Sequence, residues 1–223
     1  MYKAPQSHWV GDGFPAKTLF SYQALGNAIS PFLLLDHVGP MEFSPILQRR
    51  GVGEHPNRGF ETVTLVYQGE VAHKDSTGKH GLIGPGDVQW MTAGQGILHE
   101  EFHSEALSRD GGTLELMQLW VNLPKRDKLT KPNYQTITAD KIPVIAIPEN
   151  RGFLTIIAGD VSGLKGSAKT HSPIIVMDGS IKKGGKCDYP FNHGWSLIVV
   201  IRKGHVKVNH QPVTTGQTIT FSQ

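Results

Sequence analysis

The feature that most constrains the fold is a series of short strand-like runs separated by turn residues. Alternation of apolar or β-branched residues with polar ones at period 2 is typical of strands. Up to residue 123, no segment keeps the apolar period of an α-helix over three turns. The runs recur at intervals of about 8 to 12 residues, which favours a β-sandwich or a β-barrel. They cover residues 61–67, 71–74, 88–91, 97–101 and 114–123.

A polar, proline-containing segment divides the chain. Residues 125–133 are polar, and Pro124 and Pro132 lie at its two ends, which is typical of a domain boundary. We predict one domain over residues 1–124 and a second over residues 133–223. The second part again contains short strand-like runs (144–147, 154–158, 174–177 and 197–201). Its segments 204–210 and 215–221 weakly repeat, in order, the patterns of 69–73 and 86–90. Two similar β domains are therefore predicted.

Some segments before residue 55 are less regular. Residues 20–22 and 27–29 are predicted as short edge strands, and the apolar run 32–35 as a buried strand. Residues 38–54 contain Pro40, Pro45 and three glycines, so we predict a loop there.

Composition restricts the environment and the partners. The net charge is +3 with neutral histidines, and no clustered basic face is evident, so no direct nucleic-acid partner is expected. No apolar run approaches the roughly 20 residues of a membrane helix, and the N-terminus lacks the apolar core of a signal peptide. The single cysteine, Cys187, excludes an intramolecular disulfide and a cysteine zinc site. We expect a soluble protein of the cytoplasm, or of the nucleus in a eukaryote.

Two segments carry residues that could bind a metal ion. If residues 55–61 are extended, His55, Asn57 and Glu61 share one face, and His99 and Glu101 share a face of a later strand. Imidazole and carboxylate together favour iron, nickel or zinc over magnesium or calcium. We predict a transition-metal site from these residues, with the carboxylate from Glu101 or Glu61 and with Glu100 on the opposite face. The remaining histidines are interpreted as surface or structural residues.

The motifs around these residues resemble one protein family. The chain is similar to pirin, a double cupin with two tandem β-barrels, over roughly residues 30–124. One position departs from the family pattern, because Asn57 stands where the family has the second histidine of His-Pro-His. The matching motifs are Leu35-Asp36-His37-Val38-Gly39-Pro40, His55-Pro56-Asn57-Arg58-Gly59-Phe60-Glu61, His73-Lys74-Asp75-Ser76, Gly84-Pro85-Gly86-Asp87-Val88-Gln89-Trp90-Met91-Thr92-Ala93-Gly94, His99-Glu100-Glu101 and Gln118-Leu119-Trp120-Val121-Asn122-Leu123-Pro124.

The resemblance implies an all-β double cupin with the metal in the first barrel. It implies metal positions at His55, Asn57, His99 and Glu101, with Glu101 also the candidate catalytic residue. Iron is the expected ion, with nickel, zinc, copper and manganese as alternatives. Because an amide is a weak ligand for these ions, we predict a weakened iron-type site. For His37 we expect a structural hydrogen bond.

Two functions are compatible with the resemblance. The first is quercetin 2,3-dioxygenase activity, in which a flavonol ring is opened with O₂ at the metal. The second is regulatory, with the metal-loaded protein binding a transcription factor or a metabolic enzyme. The family pattern also continues with further strands beyond residues 218–221, so we expect an incomplete, less stable second barrel.

Overall fold

The computed structural model describes residues 2–3 and 7–221, with side chains from residue 7 onward. The described residues are mostly β, with 53% of them in strands and 11% in helices. The strands β1 to β21 are Tyr2–Lys3, His8–Val10, Phe14–Ser21, Phe32–Phe43, Gly51–Asn57, Phe60–Gln68, Val71–Asp75, His80–Ile83, Val88–Thr92, Ile97–His103, Gly112–Asn122, Asn133–Ile137, Val144–Ile147, Gly152–Ala158, Asp160–Val161, Leu164–Lys165, Val176–Ile181, Leu197–Val200, His205–Val208, Gln211–Thr214 and Gln217–Phe221. The α-helices α1 and α2 are Tyr22–Leu25 and Glu105–Asp110, and 3-10 helices cover Gly26–Ile29, Lys125–Asp127, Ala139–Lys141 and Pro148–Asn150.

Two antiparallel sheets form the part of the fold that contains the candidate site. The larger sheet has the order β12-β9-β6-β11-β4-β3-β2, and the smaller sheet the order β5-β10-β7-β8. The chain crosses from the smaller sheet to the larger one at Arg58 and Gly59, between β5 and β6. Gly59 has a φ of 76°, a left-handed conformation that glycine adopts without steric cost. This crossing determines which residues face the space between the sheets.

The five strand-like runs of the first part are confirmed as β6, β7, β9, β10 and β11. Two other predictions are wrong. Residues 27–29 lie in a 3-10 helix, and much of the predicted loop 38–54 is strand, since β4 continues to Phe43 and β5 begins at Gly51. The pairing of β4 with β11 shifts register between Leu114 and Leu116, opposite Gly39 and Pro40. A bulge tolerates proline because no ladder hydrogen bond is needed there.

The strands beyond residue 133 form smaller sheets, apart from β12. β12 pairs with β9 and thereby extends the larger sheet. The others are arranged as β13-β14-β17, β1-β21-β18 and the pairs β15-β16 and β19-β20. In β1, Tyr2 lies opposite Thr218, so the N-terminal strand covers one edge of β21. Among the described residues, no helix is both long and apolar enough to cross a bilayer.

An apolar cluster joins the larger sheet to the second part of the chain. Val63 and Trp90 of the larger sheet are fully buried in it, together with Ile157 and Ile174 from beyond residue 133. Burying such side chains contributes about 1.5–3 kcal/mol each. The larger sheet is therefore covered by this cluster on one face and encloses the candidate site on the other.

Candidate metal centre

A cavity of about 290 Å³ lies between the two sheets. This volume is close to the lower end of the range of small-molecule pockets, about 300–1,000 Å³. Most of the wall is apolar, and the polar groups are concentrated at a few positions. The lining residues are His8, Val10, Phe14, Ala16, Leu34, Asp36, Val38, Val52, His55, Asn57, Thr62, Thr64, Val71, His99, Glu101, Leu116, Gln118 and Trp120.

Three of the predicted metal positions converge at this wall. His55 of β5 lies directly opposite His99 of β10, and their ring centroids are 4.2 Å apart. Glu101 follows two residues later on β10, so its side chain shares the face of His99. One potential ligand atom from each of the three side chains lies within 4.8 Å of the other two. Imidazole and carboxylate donors at this spacing fit a single transition-metal ion.

Asn57, the fourth predicted position, also lines the cavity, and its side chain contacts the candidate ligand His99. Its side chain is buried, and its amide Nδ2 lies 2.6 Å from Nε2 of His99. An amide nitrogen donates hydrogen bonds and offers no lone pair to a metal. In this orientation Asn57 therefore occupies the lone pair with which His99 would bind an ion.

Burial shifts the pKa values of the two candidate ligands on β10, His99 and Glu101. It lowers the pKa of His99 to about 3, and the neighbouring imidazoles of His55 and His73 act in the same direction. His99 is therefore neutral at physiological pH, as a metal ligand must be. Burial also raises the pKa of the Glu101 carboxyl to about 7.

A second layer of polar groups behind His99 was not predicted from the sequence. His73 lies opposite Glu101 and Asp75 opposite His99 in the β7–β10 pair, so all four side chains share a face. His73 is buried and stacks on Tyr134, with ring centroids 4.7 Å apart. The motif His73-Lys74-Asp75 was available as a signal, because alternation places His73 and Asp75 on one face of the strand, the face that pairs with His99 and Glu101.

Glu61, the alternative candidate carboxylate, does not face the cavity. Thr62 and Thr64 of β6 line the cavity, whereas Glu61 is absent from its wall. Glu61 is buried and accepts a hydrogen bond of 2.7 Å from the Thr92 hydroxyl. The expectation that His55 and Glu61 share a face is wrong, because the crossing at Gly59 places them in different sheets. Glu100 also lies outside the cavity wall, as predicted.

His37 has the structural role that was expected. Its Nε2 lies 3.0 Å from a carboxylate oxygen of Glu115, on the neighbouring strand β11. Arg202 donates to the same oxygen over 2.7 Å, and Gln68 to the other oxygen over 3.0 Å. The carboxylate of Glu115 is therefore fully engaged away from the metal centre.

Further polar groups on the cavity wall lie on the larger sheet. The Thr64 hydroxyl donates to the side-chain oxygen of Gln118 over 2.6 Å. The Thr18 hydroxyl donates to Asp36 over 2.6 Å. Burial raises the pKa of Asp36, and the hydrogen bond from Thr18 and the charge of His8 oppose the rise only in part. These groups give the otherwise apolar wall a few fixed hydrogen-bonding positions.

Comparison with known proteins supports the same fold. The sequence profile of the family described as Pirin matches residues 13–121. A Pseudomonas aeruginosa protein named "Putative quercetin 2,3-dioxygenase" is 54% identical over 217 residues, covering 97% of this chain and 76% of its own length. Pirin-1 of Arabidopsis thaliana is 39% identical over 79% of this chain. The chain spans only 56% of the length of that second relative.

A solved structure extends the likeness to three dimensions. The crystal structure of a quercetin 2,3-dioxygenase from Acinetobacter baumannii superposes with a TM-score of 0.94 and 51% sequence identity, covering 98% of this chain and 76% of that one. The fold and the site define a double cupin with a histidine–glutamate cluster that could hold a metal ion. The chain belongs to the pirin family.

Proposed function

We propose that this chain is an iron-dependent dioxygenase that opens flavonols with O₂. The observation that carries the proposal is the convergence of His55, His99 and Glu101 at the wall of a largely apolar cavity. The names of the Pseudomonas and Acinetobacter relatives support the substrate class, since both refer to quercetin 2,3-dioxygenase.

The donor set supports iron as the ion. Two imidazoles and one carboxylate form the ligand set of non-haem iron oxygenases, which leaves coordination positions open for substrate and O₂. In this proposal His55, His99 and Glu101 hold the ion, and Asn57 modulates it through its contact with Nε2 of His99. A bound ion supplies Lewis-acid chemistry toward the hydroxyl and keto oxygens of a flavonol and orients O₂.

The protein itself contributes binding, exclusion of water and one proton acceptor. The apolar side chains around Trp120 exclude water and pack against the flat rings of the flavonol. Gln118 and Asp36 provide hydrogen-bonding positions for its peripheral hydroxyls. Glu101 is the proposed catalytic residue, and one of its carboxylate oxygens accepts the proton that the flavonol hydroxyl releases.

The test is metal analysis followed by a flavonol-bleaching assay. We expect purified protein reconstituted with Fe²⁺ under anaerobic conditions to bleach quercetin once O₂ is admitted. His99→Ala should lower Fe²⁺ affinity at least about 10- to 100-fold, the range seen when even an indirect metal contact is lost, and should abolish bleaching. His80→Ala is the matched control, since His80 is exposed on the same sheet and absent from the cavity wall.

The outcomes separate an enzyme from a regulator. Fe²⁺ binding that His99→Ala removes, without any turnover of quercetin, would contradict the dioxygenase and favour the regulatory alternative. Equal Fe²⁺ binding by His99→Ala and His80→Ala would exclude the proposed metal centre itself.

A further inference from the structure

A line of three polar side chains ends at the metal centre. Oδ2 of Asp75 lies 3.5 Å from Nε2 of His73, and Nδ1 of His73 lies 3.4 Å from Nδ1 of His99. The side chains of Asp75 and His73 are fully buried. These hydrogen bonds are long but join buried side chains, so the donor or acceptor role of each group determines where the protons reside.

The orientation of Asp75 is determined by the turn that follows it. Its Oδ1 accepts from the backbone N–H of Thr77 over 2.8 Å, from the Thr77 hydroxyl over 2.6 Å and from the N–H of Lys79 over 3.3 Å. These three donors hold the carboxylate so that only Oδ2 remains for His73. Burial raises the pKa of Asp75, but the hydrogen bonds from Thr77 outweigh it and the net pKa is lowered. Asp75 is therefore ionised and can only accept.

The proton positions of both imidazoles follow from an ionised Asp75. Nε2 of His73 must carry a proton in order to donate to Oδ2 of Asp75. A neutral imidazole that donates from Nε2 accepts at Nδ1, and Nδ1 of His73 faces Nδ1 of His99 over 3.4 Å. Nδ1 of His99 must then be the donor, which leaves Nε2 of His99 with a free lone pair. The amide Nδ2 of Asn57 at 2.6 Å is a matching donor to that lone pair.

We propose that Asp75 and His73 are positioning residues that hold His99 in the tautomer able to bind a metal ion through Nε2. Tyr134 stacks on His73 with an interplanar angle of 16° and thereby restricts rotation of the His73 ring. The inference rests on the metal centre proposed above but not on the flavonol activity. It assigns a role to two residues that do not line the cavity.

Replacing Asp75 with asparagine should exchange the donor and acceptor roles in the hydrogen-bond chain from Asp75 through His73 to His99. The N–H groups of Thr77 and Lys79 still require an acceptor, so the amide oxygen takes the Oδ1 position and the NH₂ group faces His73. His73 then accepts at Nε2 and donates from Nδ1. His99 must accept at Nδ1 and carry its proton on Nε2, the tautomer that blocks metal binding.

The direct measurement is ¹⁵N NMR of histidine tautomers in metal-free protein. We expect Nδ1–H for His99 in the wild type and Nε2–H in Asp75→Asn. His103 is an internal control, because its Nε2 faces the carbonyl of Gly13 at 2.8 Å and should stay protonated in both proteins. Anaerobic titration with Fe²⁺ should show affinity lowered about 10- to 100-fold in Asp75→Asn.

A pair of substitutions at His73 separates hydrogen bonding from packing. His73→Phe keeps a ring to stack on Tyr134 but has no acceptor, so Fe²⁺ affinity should fall as in Asp75→Asn. His73→Asn loses the ring but can place its amide oxygen where Nδ1 was, so it should retain most of the affinity. An Nε2–H tautomer of His99 in the wild type would overturn the proposal. So would unchanged Fe²⁺ affinity in folded Asp75→Asn, or equal affinities for the two His73 variants, and none of these results depends on quercetin turnover.

Discussion

Asn57 is the residue at which the proposed metal centre departs from the pattern of its family. The pattern has histidine there, whereas the amide in this chain points its nitrogen at Nε2 of His99 over 2.6 Å. Metal binding at His99 must break that hydrogen bond, and Asn57 then offers at best a weakly coordinating oxygen. In the proposed metal centre, we therefore expect Asn57 to lower metal affinity in two ways: its amide competes for the lone pair of His99, and it replaces an imidazole ligand.

Restoring histidine at position 57 should strengthen the site. Asn57→His removes the competing hydrogen bond and adds an imidazole. We expect Fe²⁺ affinity to rise by at least about 10- to 100-fold, the loss that follows when a residue supporting a metal ligand is mutated. Anaerobic calorimetric titration with Fe²⁺ measures the change. His55→Ala is the opposing variant and should lower the affinity. If neither substitution changes Fe²⁺ binding, the metal is not held where we propose.

At the scale of elements, strand β11 connects several parts of the fold through one buried carboxylate. Glu115 accepts from His37 of β4, from Gln68 at the end of β6 and from Arg202 in the segment after β18. The Arg202 guanidinium also lies over the ring of Tyr67, 3.9 Å from its centroid. Through its hydrogen bond with Arg202, Glu115 thus connects the larger sheet to the second part of the chain.

The ionisation of Glu115 should make stability sensitive to acid. Burial raises its pKa, but the hydrogen bonds from Gln68, Arg202 and His37 outweigh burial and the net pKa lies below the ordinary value of 4.5. A carboxyl with a lowered pKa in the folded state stabilises the fold above its unfolded pKa and loses that contribution as pH falls. We expect up to about 1.5–3 kcal/mol, the worth of a charged hydrogen bond, to disappear below pH 4.5.

Urea unfolding of wild type and Glu115→Gln at pH 7 and pH 3.5 measures this contribution. The variant should be less stable at pH 7, and the difference between the two proteins should shrink at pH 3.5. Taking the difference removes the effect of other carboxyls, such as Asp36, whose raised pKa acts in the opposite direction. A difference that stays constant with pH would show that Glu115 is not ionised in the folded protein.

At the scale of the whole molecule, the two predicted domains share structure across their boundary. Strand β12 belongs to the larger sheet, and the cluster of Val63, Trp90 and Ile157 contains residues from both parts. The connecting segment 125–131 is nevertheless exposed at Lys125, Arg126, Leu129 and Lys131. The boundary is accessible, whereas the surface that the two parts share is not.

Limited proteolysis should reveal both properties. We expect trypsin to cut first at Lys125 or Arg126, because these side chains are exposed in a connection between strands. The two fragments should remain together in gel filtration and separate only in urea, because separation would expose the shared apolar cluster. Further digestion should then degrade the C-terminal fragment faster. Equal resistance of both fragments would contradict the prediction of a less stable second part.

The alternation and turn residues of the sequence were sufficient to predict the β class and most strands. They also predicted that His99 and Glu101 lie on one face of the same strand. Alternation is a property of a single strand, so it holds wherever the strand lies. The resemblance added His55 and the departure at Asn57. Tertiary structure decided what depends on partners distant in sequence. The crossing at Gly59 turned Glu61 away from His55, because alternation restarts when the chain enters another sheet. The pairing of β7 with β10 brought His73 and Asp75 behind His99, since register between strands is set by non-local hydrogen bonds.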